Sequence, residues 1–288
     1  MTLVKPVKTI RPAMTIVAMT REMGSLGKDV AAGLAQELGL PLVHHEIIDS
    51  LADKMRLRKS HVVRLLDGQA GILERLTADD TSLSIYTEAE LCHLVMRGRG
   101  AVVRGWGATH LFRRVPHVVR VRVCAPPALR RKRMMERLRT QDAAFVDEEI
   151  RRSDEAQGAI MRRYFNVDWT DSSHYDIVLN TERVSVVRCI EEVLALVRSG
   201  EFAETEASRR ALADVALQAS VRAALRGDRR TRELRVEVEA ANGAVRLSGL
   251  ADDEDQSSAA RALAAAVPGV ARVDCELRAH SRIRARNA

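Results

Sequence analysis

Residues 14–30 read MTIVAMTREMGSLGKDV. A short apolar run covers 14–19, and Gly24, Ser25, Gly27 and Lys28 follow it. Val30, Ala31, Leu34, Ala35 and Leu38 then recur at helical spacing. This order predicts a strand, a glycine turn and a helix. Such a turn aims backbone N–H groups and a helix N-terminus at one spot, where an anion such as a phosphate can sit. Lys28 adds a mobile positive charge. The spacing is close to that of a P-loop but departs from it at two positions. Glu22 stands where that loop has a glycine, and Asp29 where it has Ser or Thr. The pattern alone fits a phosphate cradle or an ordinary tight strand-to-helix turn.

The same rhythm continues outward. Gly39 stops the first helix, and Leu42 and Val43 form a short extended piece. Helices are expected over 44–54, 59–76 (broken or capped near Gly68 and Gly71) and 87–96. Residues 101–105 read as a buried strand ending in glycine, and 107–113 as a helix. Residues 118–124 form a strand, and Pro126 and Pro127 open a long basic helix, since proline is tolerated in a first helical turn. A further basic helix covers 146–165, a strand 175–179 and a helix 184–197. Strands separated by helices argue for a doubly wound parallel sheet with helices on both faces. Its active crevice lies at the carboxyl ends of the strands. Residues 24–28, 105–107, 125–126 and 180–181 fall on that edge.

Residues 199–208, SGEFAETEAS, are polar and acidic and read as a linker. The rhythm then changes. An amphipathic helix over 210–225 precedes two alternating segments joined by Asn242-Gly243, a strong hairpin signal. A helix over 252–267 and a strand over 270–277 complete a small α+β unit. The expected division is a tail at 1–12, a P-loop domain at 13–198, the linker at 199–208, the α+β domain at 209–278 and a basic tail at 279–288.

With 46% hydrophobic and 30% charged residues among 288, the chain has ample core material. No run reaches the roughly 18 apolar residues of a membrane span. The basic N-terminus lacks the apolar block of a signal peptide, so a cytoplasmic location is expected. Cys92, Cys124, Cys189 and Cys275 form no C-x-x-C pair and read as free buried thiols rather than metal ligands. The formal charge of +7 fits an anionic partner, although arginine richness also follows from a GC-rich coding sequence. No aromatic residues interleave with the basic ones and no nucleic-acid motif accompanies them, so nucleic acid is not the expected partner.

The segments Thr20-Arg21-Glu22-Met23-Gly24-Ser25-Leu26-Gly27-Lys28, LAQELGLP, HEII, VVRGWGA and YDIVLNT occur in an order that resembles the cytidylate kinase-like family of P-loop proteins, over 14–198. NGAVRLSG and VPGV make residues 209–278 resemble a BON domain. The first resemblance implies a nucleoside monophosphate kinase fold that binds ATP with Mg2+. It would pass the γ-phosphoryl to a nucleoside monophosphate, CMP or dCMP in the namesake. Such chemistry is mostly positioning and charge neutralisation, with arginines of a mobile lid closing over the phosphates. The second implies a module associated with small ligands, phospholipid or an envelope protein partner.

By the first resemblance, Lys28 bridges the β- and γ-phosphates, and Gly24, Ser25, Leu26, Gly27 and Asp29 complete the ATP-binding loop. Arg21 pairs with phosphate or with Glu22. Arg130, Arg131 and Arg133 open the helix that precedes the lid, and Arg151 and Arg152 match the lid. Guanidinium suits bidentate phosphate contacts. His44, Gly105 and Trp106 mark the acceptor side. His44 stands where the family commonly has aspartate, Trp106 where it has arginine and Gln157 where a lid arginine is expected. Arginine fingers in such sites are worth about 10³ to 10⁵ in rate. The replacements therefore leave open a second reading, a catalytically impaired nucleotide-binding sensor. Asp176 is expected to serve structure rather than catalysis.

Overall fold

The computed structural model describes residues 14–44, 47–66, 79–105 and 107–279. Strands β1 (Thr15–Arg21), β2 (Leu42–Val43), β3 (Gly100–Arg104), β4 (Val118–Cys124) and β5 (Ile177–Asn180) form one parallel sheet in the order β2-β3-β1-β4-β5. β1 lies at its centre, covered on both faces, which is why its sequence is an unbroken apolar run rather than an alternating one. Ile16 and Ala18 enter one core, while Val17 and Met19 enter the other, as the two-residue period of a strand requires.

Helices α1 (Gly27–Leu38) and α8 (Val186–Val197) cover the second of these cores through Val30, Leu34, Cys189 and Val193. On the opposite face lie α2 (Ile48–Met55), α3 (Lys59–Leu66), α4 (Asp80–Arg97) and α5 (Ala108–Leu111), which bring Leu51, Val62, Leu91 and Ala108 to the other core. Helices α6 (Pro127–Leu138) and α7 (Ala143–Phe165) pack together through Met134, Val146 and Ile150, and Met23 of the glycine loop rests on that cluster. Several helix starts differ from the expected ones. α2 begins at Ile48 rather than residue 44. α4 begins at Asp80 rather than 87, because the Asp79 carboxylate accepts from the Ser82 N–H at 3.0 Å and caps a polar first turn. The same device, Asp142 accepting from the Phe145 N–H at 2.9 Å, moves the start of α7 to Ala143. The expected break near Gly68 and Gly71 lies outside the described residues. The four cysteines are free, but only Cys92 and Cys189 are buried, while Cys124 and Cys275 are half-exposed.

The second sheet holds β6 (Arg235–Ala241), β7 (Ala244–Ala251) and β8 (Arg272–Ala279), with β6 antiparallel and β8 parallel to β7. Asn242 and Gly243 both have positive φ, 50° and 80°, the geometry that a tight hairpin turn demands. α10 (Glu254–Ala265) carries the chain from β7 to β8, and the Asp253 side chain caps it.

Residues 199–208 do not behave as a spacer. Gly200–Phe202 form a turn of 3-10 helix, and Phe202 packs on the α1–α8 core. The Glu204 carboxylate accepts from the Met14 N–H at 3.0 Å and pairs with Arg209 at 3.2 Å. Thr205 and Ser208 form a reciprocal capping box that starts α9 (Glu206–Gly227) four residues before the expected 210. α9 was expected to be apolar on one face, but it is apolar on two. Leu212 and Ala219, seven residues apart, enter the core of the large sheet beside α4. Leu217, Val221 and Leu225, at spacings of four, enter the core of the small sheet. Polar bonds reinforce the seam. Arg222 pairs with the buried Glu88 at 2.6 Å, and Arg226 donates to Ser82 at 2.7 Å and pairs with Asp79.

Leu212→Ala is therefore expected to cost about 2–5 kcal/mol, read by urea denaturation of the full chain. The loss should appear in the transition of the large sheet, although residue 212 lies beyond the expected end of that domain. A variant with an unchanged midpoint and slope would refute the shared-helix arrangement.

Candidate phosphate-binding site

β1 delivers the chain to the carboxyl edge of the large sheet, and residues 22–26 turn it into α1. Gly24 has φ +82°, and a Cβ there would stand 2.8 Å from the Arg130 carbonyl oxygen. A Cβ on Gly27 would stand 2.6 Å from Cβ of Arg21. The loop thus lies directly against α6 and β1 because these two residues lack side chains. Leu26 precedes the helix in the left-handed region at φ 59°. The loop and the first turn of α1 border a cleft of about 400 Å³, whose basic lining is Arg21, Lys28, Arg133 and Arg137. Lys28 and Asp29 are exposed to it, whereas Ser25 is fully buried and its Oγ has no hydrogen-bond partner.

Arg133 is held at this rim by Thr181, in the turn after β5. Its Nη2 donates to the Thr181 carbonyl at 2.7 Å and its Nη1 to Thr181 Oγ1 at 2.9 Å. Thr181 Oγ1 in turn donates to the Ser25 carbonyl at 2.8 Å. One buried threonine therefore joins the loop, the helix after β4 and the end of β5. Sequence reasoning put residues 180–181 on the active edge but gave Thr181 no role, because nothing local tells which groups its hydroxyl will meet.

Glu22, the residue that breaks the P-loop pattern, has a structural task. Its carboxylate accepts from Arg122 Nη2 at 2.7 Å and from the Ala125 N–H at 3.2 Å, and lies 3.7 Å from Arg130 Nη1. Arg122 and Arg130 are both buried, 6% exposed. Arg122 also donates to the Trp169 carbonyl at 3.0 Å and stacks over the Trp169 ring at 4.9 Å. Arg130 forks onto Asp154 of α7, at 2.6 and 2.8 Å to one oxygen. Burial is the largest influence on Asp154 and holds its carboxyl above the usual range, against the pull of Arg130. Glu22, Arg122, Arg130 and Asp154 thus bind the loop, β4, α6 and α7 into one frame.

The remaining sequence candidates divide. The helical period places Arg130, Arg133, Met134 and Arg137 on the side of α6 facing the loop and turns Arg131 away. Arg131 pairs instead with Asp147 at 2.6 Å on an exposed surface. Arg151 pairs with Glu148 and Glu155, and Arg152 with Glu148, again on an exposed face of α7. The structure therefore brings Lys28, Arg21 and Arg133 together and leaves Arg131, Arg151 and Arg152 outside the cleft. Asp176 receives three bonds from Arg120, the shortest 2.6 Å, and ties β5 to β4 as expected.

Of the residues expected to mark the acceptor, His44 Nδ1 donates to the Arg104 carbonyl at 3.2 Å, and the Gly105 N–H donates to the Met19 carbonyl at 2.8 Å. Both residues sit beside the end of β1. Trp106 lies outside the described residues. Gly107 starts α5, and His110 of that helix stacks on Phe165 with ring centroids 4.6 Å apart. Burial, then the charges of Arg113, His174 and Arg120, push His110 down to about 4, so its ring is neutral at pH 7. Among the described residues, no group of three His, Cys, Asp or Glu side chains could hold a metal ion. Mg2+ needs no such cage when a polyphosphate supplies its oxygens, and Asp29 and Glu136 are carboxylates on the cleft that would meet it.

Glu22→Gly would give the loop its regular glycine. It is nevertheless expected to destabilise the chain by about 3 kcal/mol, because it takes the carboxylate from the buried Arg122 and one of two from Arg130. Thermal denaturation would read the effect, and equal or higher stability of the variant would contradict it.

Residues 16–183 match the Cytidylate kinase-like family, and residues 213–280 match the BON domain. A cytidylate kinase of Methanosarcina barkeri (strain Fusaro / DSM 804) is 35% identical over 79 residues, covering 26% of this chain and 42% of that protein. The chain thus spans less than half the length of this curated relative. An uncharacterized protein from Eubacterium ventriosum ATCC 27560 superposes with a TM-score of 0.51 at 21% identity, over 65% of this chain and 99% of that one. A shikimate kinase from Bacteroides thetaiotaomicron superposes at 0.39 and 14% identity, over 65% and 100%. The former is a likeness of fold alone, and the latter is too distant to carry an argument. With a parallel sheet, a glycine loop at its central strand and a match over more than half of its residues, the chain belongs to the Cytidylate kinase-like family.

Proposed function

We propose that this protein is an ATP-dependent phosphotransferase that passes the γ-phosphoryl of ATP to a nucleoside monophosphate of the CMP or dCMP class. Membership of the family supports kinase-type phosphoryl transfer. The observation that carries the reading is the convergence of Lys28, Arg133 and Arg137 on a cleft bordered by the glycine loop and the α1 N-terminus. That set can bind a polyphosphate and neutralise charge spreading over it in the transition state. His44 and Gly105, beside the same strand end, would border the acceptor. Mg2+ would arrive with ATP.

A second reading, a nucleotide-binding sensor with impaired catalysis, has its own support. Arg131, Arg151 and Arg152 are committed to neighbouring carboxylates, and Arg130 is committed to Asp154. In that reading the BON domain reports nucleotide occupancy to a phospholipid or protein partner.

An assay with ATP, Mg2+ and a panel of nucleoside monophosphates separates the two. Turnover is expected with at least one pyrimidine monophosphate. ATP binding without turnover of any acceptor would overturn the enzyme reading and favour the sensor. Lys28→Ala is expected to lower kcat/KM by about 100-fold or more. Thr181→Val, which removes the hydroxyl that anchors Arg133, should lower it by about tenfold. Unchanged ATP affinity and turnover in Lys28→Ala would remove the site from both readings.

A further inference from the structure

A second polar cleft, of about 750 Å³, lies between the two sheets. Arg113 and Arg114, in the turn that follows α5, form one wall. β6, the edge strand of the small sheet, forms the other, and Gln218 and Arg222 of α9 lie between them. The basic groups differ in their commitments. Arg222 is paired with Glu88 at 2.6 Å, and Arg246, on the β6 side, with Glu276 at 3.1 Å. Among the described residues, no carboxylate lies within ion-pair distance of Arg113 or Arg114. Arg113 donates to the His110 carbonyl at 2.9 Å. Partial burial and the adjacent Arg114 charge lower its pKa, and the Glu88 charge opposes them. The facing wall carries the carboxylates of Glu237, Glu239 and Asp274 beside Arg246; Glu239 lies 3.9 Å from Arg246 and Asp274 pairs with Arg272 at 2.8 Å.

We infer that this cleft binds a small phosphomonoester bearing hydroxyl groups, with its phosphate between Arg113 and Arg114 and its hydroxyls donating to Glu237 and Glu239. Two adjacent guanidinium groups are built for phosphate oxygens. Carboxylates accept from hydroxyls but repel further phosphates, so the wall excludes polyphosphates and nucleic-acid backbones. The volume is that of a ligand of nucleotide or sugar-phosphate size. The site is distinct from the glycine-loop cleft and does not depend on the reaction proposed there. Its Arg113 is six residues from Gly107, which starts α5 on the acceptor side, so the two regions share one short segment. The phosphomonoester could be a free metabolite or a lipid headgroup.

Isothermal titration of the full chain with ribose 5-phosphate tests the site. One equivalent is expected to bind, with affinity unchanged in Lys28→Ala and weakened at least about tenfold in Arg114→Ala. Arg114→Ala breaks no described hydrogen bond or ion pair, so its folding is not at stake. Inorganic phosphate should bind more weakly, since it lacks hydroxyls. Flotation with vesicles containing phosphatidylinositol 4-phosphate forms the second arm. Capture that is lost in Arg114→Ala, without ribose 5-phosphate binding, would assign the site to a lipid headgroup. The proposal is overturned if neither probe binds at millimolar concentration or if Arg114→Ala binds as the parent does. It is also overturned if an acidic peptide occupies the β6 edge while both phosphate probes fail.

Discussion

Neutralising buried guanidinium groups is the constraint on which the edge of the large sheet depends. Arg122 and Arg130 are out of water, and a buried charge without partners is costly. Glu22 and Asp154 supply the carboxylates, a backbone carbonyl and an aromatic face supply the rest, and the geometry that results sets the shape of the loop. The position where a P-loop has its first glycine is therefore occupied by a residue that this frame needs. Glycine there would free the backbone but leave Arg122 without a carboxylate partner. The loop keeps glycine only at 24 and 27, where α6 and β1 come too close for a side chain.

The frame also determines which arginines reach the cleft. Arg130 is spent on Asp154, so α6 is docked with Arg133 and Arg137 turned to the loop. Thr181 fixes Arg133 from the far side. A phosphate in the cleft would meet cations already oriented, which reduces the entropy lost on binding. The arginines of α7 satisfy one another's neighbours along the helix surface, as exposed i,i+3 and i,i+4 pairs do. Such pairs contribute little stability.

α9 gives the chain its second organising element. A helix apolar on one face can serve one core; this one fills two, and so joins the sheets more firmly than a spacer would. The buried Glu88 and its partner Arg222 fix the pairing of α9 with α4. Its two-faced character was legible only in part. Leu217, Val221 and Leu225 stand out at helical spacing. Leu212 and Ala219 look unremarkable until the core that receives them is known. In the same way, residues 80–86 contain Thr81, Ser82 and Ser84 and fall before the expected helix over 87–96. The Asp79 cap and the burial of Leu83 and Tyr86 make them helix.

By itself the sequence determined the order of strands and helices, the glycine loop, the hairpin at Asn242-Gly243 and the parallel sheet. These follow from local periodicity and from backbone conformations that few residues allow, and both are written in neighbouring positions. It also marked Lys28 as the lysine of the loop. Only the tertiary structure decided that Arg133 rather than Arg131 lines the cleft, that Glu22 is a counter-ion, that Thr181 anchors the site and that α9 belongs to two cores. Each of those outcomes depends on partners up to 156 residues away. Charge neutralisation and burial are properties of the packed assembly, and no local pattern encodes which carboxylate will meet which guanidinium.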